Sequence, residues 1–192
     1  MLSDREIREK LINRLLNYKG TSIGEELSII TEPVRADIIS INKHLIGYEI
    51  KSDLDTLHRL PHQCKGYDEI FEMNYLVVGE KLRFSATDLI PNYWGIFFAY
   101  CENNKIFIKR IKQASKNPNF NIKSFLFTLP VDIIKEKIIT LLPLEKQNKC
   151  NNFIKQDLIA YIVNNIKKRD EKRIKKIVNN YIKKSNCFYN PV

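Results

Sequence analysis

The chain has 192 residues, 44% of them hydrophobic and 28% charged, which suits a soluble protein with a proper core in one domain, or one domain with an appendage. Its four cysteines, Cys64, Cys101, Cys150 and Cys187, lie far apart without a CxxC pair, which argues against a zinc ribbon or disulfide scaffold and favours a reducing cytoplasm. The net charge of +10 is concentrated in residues 167–184, which carry nine Lys/Arg against two Asp/Glu; such a segment suits contact with phosphate backbones and equally suits a solvated helix face.

The opening MLSDREIREKL has charges where a signal peptide needs an apolar run. Ser3 followed by Glu6 is a capping-box pattern, and Ile7, Leu11, Ile12, Leu15 and Leu16 recur at helical spacing, predicting a helix over 4–17 that stops at Tyr18-Lys19-Gly20. Residues 36–41 and 45–51 are β-rich runs around Asn42-Lys43-His44, a hairpin signal. Residues 52–71 are helical in composition, with Pro61 either starting a helix or kinking one. YLVVG at 75–79 reads as a buried strand, and 94–101 and 106–110 as two more joined by Glu102-Asn103-Asn104-Lys105.

Residues 113–121 form a polar loop and 131–142 a helix. Phe153, Ile154, Leu158, Tyr161, Ile162 and Ile166 mark another helix, which Ile174, Ile177, Val178, Tyr181 and Ile182 continue or follow with a second. No apolar run reaches membrane-spanning length, LIGYEIK and WGIFFAY being interrupted within a few residues. The expectation is a soluble cytoplasmic protein of α/β class, with a core over 1–112 and a helical, basic C-terminal region over 113–192.

A three-residue hairpin loop centred on Lys43 places Ile41 opposite Leu45, Ile39 opposite Gly47 and Asp37 opposite Glu49. Alternation then puts Asp37, Glu49 and Lys51 on one face, with Ala36, Ile38, Ile46, Tyr48 and Ile50 on the other. Opposed carboxylates about 5 Å apart repel unless a cation lies between them or one holds a proton. A hard divalent ion accepts such oxygen ligands, and Lys51 would point to the same place, able to orient water or neutralise a phosphate. Glu49 and Lys51 are equally compatible with a same-face ion pair at a solvated strand end. Downstream, Gln63 and Tyr67 share a helix face, joined by Arg59 if Pro61 does not break the register, with Asp55 and Thr56 beginning the segment.

The combination of Asp37 in RADI, Glu49 and Lys51 in YEIKS, and Gln63 and Tyr67 in QCKGY resembles the PD-(D/E)XK nuclease superfamily, the last pair with the QxxxY spacing of its RecB-like and Cas4-like branches. More narrowly, GYEIKSDLDTLHRLPHQ is similar to a little-characterised bacterial family, with further likeness in YLVVG and NYWGI. Ala36 stands where the superfamily name has proline.

The resemblance implies a restriction-endonuclease-like α-β-β-β-α-β core, a mixed sheet flanked by helices. It also implies Mg²⁺ or Mn²⁺ as cofactor and DNA as partner, with homodimers common among small members. Asp37 and Glu49 become metal ligands, with the Ile50 carbonyl and an additional acid, Glu26 with Glu25 and Glu32 as rivals. Lys51 becomes the catalytic lysine and Gln63 a further catalytic group. Arg35, Thr56, Arg59, Gln63 and Tyr67 become substrate contacts. The implied activity is metal-dependent hydrolysis of DNA; the alternative is a catalytically silent nuclease-like DNA-binding module in a repair, defence or mobile-element complex. His58 and His62 read as substrate-contact or surface residues, and His44 as exposed. Tyr93, Trp94 and Phe97 read as core more readily than as base-stacking rings.

Overall fold

The computed structural model describes residues 1–150 and 152–185; Cys187 and the end of the expected C-terminal region, 186–192, lie outside them. The described residues form two compact units, one from Met1 to Phe120 and one beginning at Asn121.

The first unit opens with helix α1 (Asp4–Leu16). The capping box is formed: the Glu6 carboxylate accepts from the Ser3 N–H at 2.8 Å, and the Ser3 hydroxyl accepts from the Glu6 N–H at 3.4 Å. Strands β1 (Ser22–Ile29), β2 (Val34–Ile41) and β3 (Leu45–Lys51) follow, then α2 (Leu60–Ile70), β4 (Met73–Val78), α3 (Arg83–Thr87), β5 (Gly95–Glu102) and β6 (Lys105–Lys112). They form one six-stranded mixed sheet in sequential order. The β1–β2, β2–β3 and β5–β6 pairs are antiparallel, and β3–β4 and β4–β5 parallel. The parallel pair β3–β4 needs a crossover, and α2 supplies it.

The hairpin register is the one its turn predicts, with Ile41 opposite Leu45 and Ile39 opposite Gly47. Ile38, Tyr48 and Ile50 face α1, where Ile7, Leu11 and Leu15 pack on them together with Tyr75, Val77 and Phe97. Gly47 lies on the opposite face under α2, where an added Cβ would come within 2.7 Å of both the Tyr67 and Phe71 rings. Those rings are fully buried and have nowhere to move. Gly47→Ala is therefore expected to destabilise the protein by about 1–3 kcal/mol, read as a lowered urea midpoint at unchanged slope; a neutral result would mean that α2 is free to lift.

Two expectations need correction. Residues 52–59 are not helical, because the Ser52 N–H and hydroxyl both donate to Asp55 Oδ2, at 2.7 and 2.6 Å, closing a local turn. Pro61 sits in the first turn of α2, where its missing N–H costs nothing. The second correction concerns 131–142, which is helical but not uniform: α5 (Val131–Ile133) runs on as a π segment (Ile134–Ile138) and a 3₁₀ turn (Ile139–Leu141). The Glu102–Lys105 connection is a tight turn, with Asn103 and Asn104 both left-handed at φ 50° and 59°.

In the second unit, α5 is preceded by α4 (Ile122–Phe127) and followed by α6 (Leu144–Gln147), α7 (Lys155–Asn165) and α8 (Glu171–Ser185). Helix α8 is distinct from α7, separated from it by a 3₁₀ turn at Lys168–Asp170. It buries Ile174, Val178 and Ile182 and exposes Lys172, Arg173, Lys176 and Lys184, so the basic run includes the solvated face of an amphipathic helix. No helix among the described residues is long and apolar enough to cross a membrane.

Candidate active site

The β2–β3 ladder ends at Ile38 opposite Tyr48, and just beyond it the phenol of Tyr67 stands between the strands. Its hydroxyl accepts from the Asp37 N–H and donates to the Tyr48 carbonyl, both at 3.1 Å. Tyr67 thus occupies the position where a direct inter-strand hydrogen bond would close the hairpin. Past this wedge the Asp37 carboxylate takes over, accepting from the Ile50 N–H at 2.7 Å through Oδ2. Ile50 meets Asp37 through its main-chain N–H, while its side chain is in the α1 core.

Glu49 and Lys51 are both buried and joined at 2.6 Å. Lys51 Nζ reaches Oε1 only; Glu49 Oε2 is buried and finds no hydrogen-bond partner among the described residues, and neither does Gln63 Oε1. Burial raises the Glu49 pKa above the usual carboxylate range, with Lys51 pulling it back. Burial also raises Asp37, to about 7; the Glu49 charge adds to the rise, while the Ile50 N–H, Arg8 and Lys51 oppose it. A half-buried and a buried carboxyl with raised proton affinity, the second with an oxygen unpartnered among the described residues, form an under-compensated acidic pair.

Asp37 opens onto a cleft of about 230 Å³ lined by Pro33, Val34, Arg35, Asp37, Arg59, His62 and Gln63. Arg59 caps the start of α2 and has no ion pair among the described residues, whereas Arg35 is joined to Glu26 at 2.5 Å. Thr56 is exposed on the preceding loop and does not line this cleft. Tyr67 is fully buried and cannot touch a substrate, so its role is to hold the strands apart. His58 is exposed, as is His44, whose ring meets Glu72 at 3.2 Å.

Among the candidate additional acids, Glu26 lies between the paired Glu25–Ile38 and Leu27–Ala36 positions, level with Asp37, and has a left-handed φ of 58°. Its carboxylate is already engaged by Arg8 at 3.0 Å as well as by Arg35. Glu25 meets Arg8 at 3.3 Å, and Glu32 makes a backbone contact with Val34.

Arg8 is the residue that sequence reading missed. From α1 it donates to the Asp37 carbonyl at 2.9 Å, pairs with Asp4 at 2.9 Å, and stands 3.6 Å from Asp37 Oδ1. Burial works against its charge, but Asp4, Asp37 and Glu26 together hold it above its ordinary value. The available signal was the Asp4–Arg8 spacing at the edge of the apolar stripe. Trp94 and Phe97 are core. The Trp94 Nε1–H donates to the buried Asp68 at 3.0 Å, and the Tyr93 hydroxyl donates to the same carboxylate.

Among the described residues no group of three or more His, Cys, Asp or Glu side chains forms a ready metal cage. What the site offers a cation is a pair of carboxylates beside main chain, an all-oxygen set of the kind that hard divalent ions occupy with water completing the shell.

No solved structure matches the chain. One curated relative is protein cII of Enterobacteria phage P4, 29% identical over 120 residues that cover 59% of this chain and 44% of that protein. The chain therefore aligns with less than half the length of that relative. The family model described as bacteriophage P4 protein cII matches residues 1–192. This match extends through both compact units, and the chain belongs to the bacteriophage P4 protein cII family.

Proposed function

We propose that this chain is a metal-dependent nuclease that hydrolyses DNA phosphodiester bonds on a restriction-endonuclease-like core. The observation that carries the reading is the meeting of Asp37, Glu49 and Lys51 at the splayed end of the β2–β3 hairpin, with a buried Glu49 oxygen unpartnered among the described residues. The α-β-β-β-α-β order of the first six elements supports it, as does the cleft with Arg59, Arg35 and His62 around Asp37. A family named for a bacteriophage protein favours a mobile-element setting.

The donor set fits Mg²⁺ or Mn²⁺: Asp37 and Glu49 would hold it through carboxylate oxygens, with the Ile50 carbonyl as the main-chain candidate. When bound, the ion supplies Lewis-acid polarisation of the phosphoryl group and activation of water. Lys51, held against Glu49, is placed to orient the attacking water and to offset charge growing on the phosphate. Arg59 is available to a flanking phosphate, and Gln63 lines the same cleft with its carbonyl oxygen buried and without a hydrogen-bond partner among the described residues. Tyr67 and Arg8 position Asp37 from its two sides.

Cleavage of linear, nicked, single-stranded and branched DNA with Mg²⁺ or Mn²⁺ tests this. Wild type should give metal-dependent products, and Asp37→Ala and Lys51→Ala should each lower the rate by at least about a hundredfold. DNA bound without product, and no metal detected at Asp37 and Glu49, would replace the nuclease reading with a catalytically silent binding module.

A further inference from the structure

The far edge of the sheet carries a surface that the proposed nuclease site does not use. Strand register puts Phe98 and Tyr100 of β5, and Phe107 and Lys109 of β6, on the same sheet face as Glu49 and Lys51, opposite the α1 face that holds Tyr75, Val77, Phe97 and Ala99. The Phe98 and Tyr100 rings stack at 5.3 Å and 16°, and Tyr100 and Phe107 at 5.5 Å and 23°. Arg83 closes one end of this column, 4.5 Å over Phe98. The other end is Phe107, an exposed ring for which no further stacking partner is found among the described residues.

At that open end the strand itself is cationic, while Glu6, Glu9 and Lys10 of α1 line a surface pocket together with Lys105 and Phe107. Strand β6 reads KIFIKRIK, with four basic residues and no acid. Lys105 and Lys109 are exposed and make no ion pair among the described residues, although Glu102 stands opposite Lys105 in the register. An edge strand so charged repels a copy of itself, which disfavours strand addition by a second chain. A stacked column that ends in an open ring, flanked by unpaired ammonium groups, matches an unpaired base and the phosphates on either side of it. Bases inside a duplex have their faces covered and cannot extend the column.

We propose that this face, formed by Arg83, Phe98, Tyr100, Lys105, Phe107 and Lys109, binds single-stranded DNA, with a base stacking on Phe107 and its phosphates meeting Lys105 and Lys109. The choice of DNA over RNA rests on the nuclease reading. Four strand spacings separate β6 from β2, roughly 19 Å, so one single strand can engage both the platform and the Asp37 cleft.

The test is fluorescence anisotropy of a short mixed-sequence oligonucleotide in EDTA, as single-stranded DNA, duplex DNA and single-stranded RNA. Wild type should bind the DNA single strand most tightly. Phe107→Ala should weaken that binding by at least about fivefold, and Lys105→Ala with Lys109→Ala should reduce the salt slope by roughly 1.4, about 0.7 per lost phosphate contact. Unchanged single-strand affinity in both variants overturns the proposal. So does a change in oligomeric state without a change in affinity, which marks a protein contact, or a preference for RNA. Cleavage is measured separately in Mg²⁺: absent products with platform binding intact count against the nuclease alone.

Discussion

Replacing Lys51 with methionine is expected to cost about 3–5 kcal/mol of stability at pH 8, the range for breaking a buried ion pair by removing one partner. Lys51 Nζ donates to Glu49 Oε1 at 2.6 Å, and the other oxygen finds no hydrogen-bond partner among the described residues. Without the ammonium, Glu49 stays ionised at great cost or takes a proton. Its pKa is already raised by burial and rises further once Lys51 no longer opposes that. The loss should therefore be largest at high pH and shrink as the medium acidifies and the carboxyl becomes neutral.

The companion variant, Glu49→Gln with Lys51→Met, removes both charges and should recover most of the stability, because no uncompensated ion remains. Urea denaturation in EDTA checks both. A single variant that costs under about 1 kcal/mol, or a double variant that simply adds the two single losses, would show that the pair is better solvated than its burial implies. Neither variant should cleave DNA, so folding recovers while activity does not.

The hairpin was legible because its information is local. Ile38, Tyr48 and Ile50 alternate with Asp37, Glu49 and Lys51, and the turn at Asn42-Lys43-His44 fixes which residues oppose. The preceding strand was not read from the residues. Ser22–Ile29 carries Gly24 and adjacent Glu25 and Glu26, and the left-handed Glu26 interrupts its pattern, so little alternation survives for a periodicity reading to find. Its partners, Ile41 back to Val34, are what make it a strand.

The same division runs through the site. Asp37, Glu49 and Lys51 share a hairpin and could be placed from spacing, whereas Arg8 arrives from a helix 29 residues earlier in the chain than its Asp37 acceptor. Tyr67 was correctly placed on a face with Gln63, but the wedge it forms between Asp37 and Tyr48 depends on how close α2 sits to β3. That distance is set by the missing side chain at Gly47. Such three-body packing has no one-dimensional signature. Thr56 fell outside the cleft for a related reason: a helical composition over 52–59 lost to the Ser52–Asp55 turn.

Asp37 supplies the site's pH dependence, and its sign follows from the raised pKa of about 7. In the metal-free protein the folded state holds this proton more tightly than the unfolded chain, whose aspartate titrates near 3.9. Stability from this group is therefore fully present below about pH 4, is lost as pH rises through 7, and stays flat above. Glu49 deepens the loss by its own charge, while Arg8, Lys51 and the Ile50 N–H limit it. Asp37→Asn removes the titrating group but keeps an oxygen able to accept from the Ile50 N–H. It should equal wild type near pH 4 and exceed it by about 1–4 kcal/mol at pH 8, a rise of roughly 2–4 °C in Tm for each kcal/mol.

Divalent ions should invert that ranking. Millimolar Mn²⁺ at pH 8 should raise the Tm of wild type, where ionised Asp37 and Glu49 await a counter-charge, and leave Asp37→Asn nearly unmoved. Thermal melts with EDTA and with Mn²⁺, at both pH values, separate the two effects. A variant stabilised at pH 8 in EDTA, with a wild type indifferent to Mn²⁺, would keep the under-compensated acidic pair and overturn its role as a metal site.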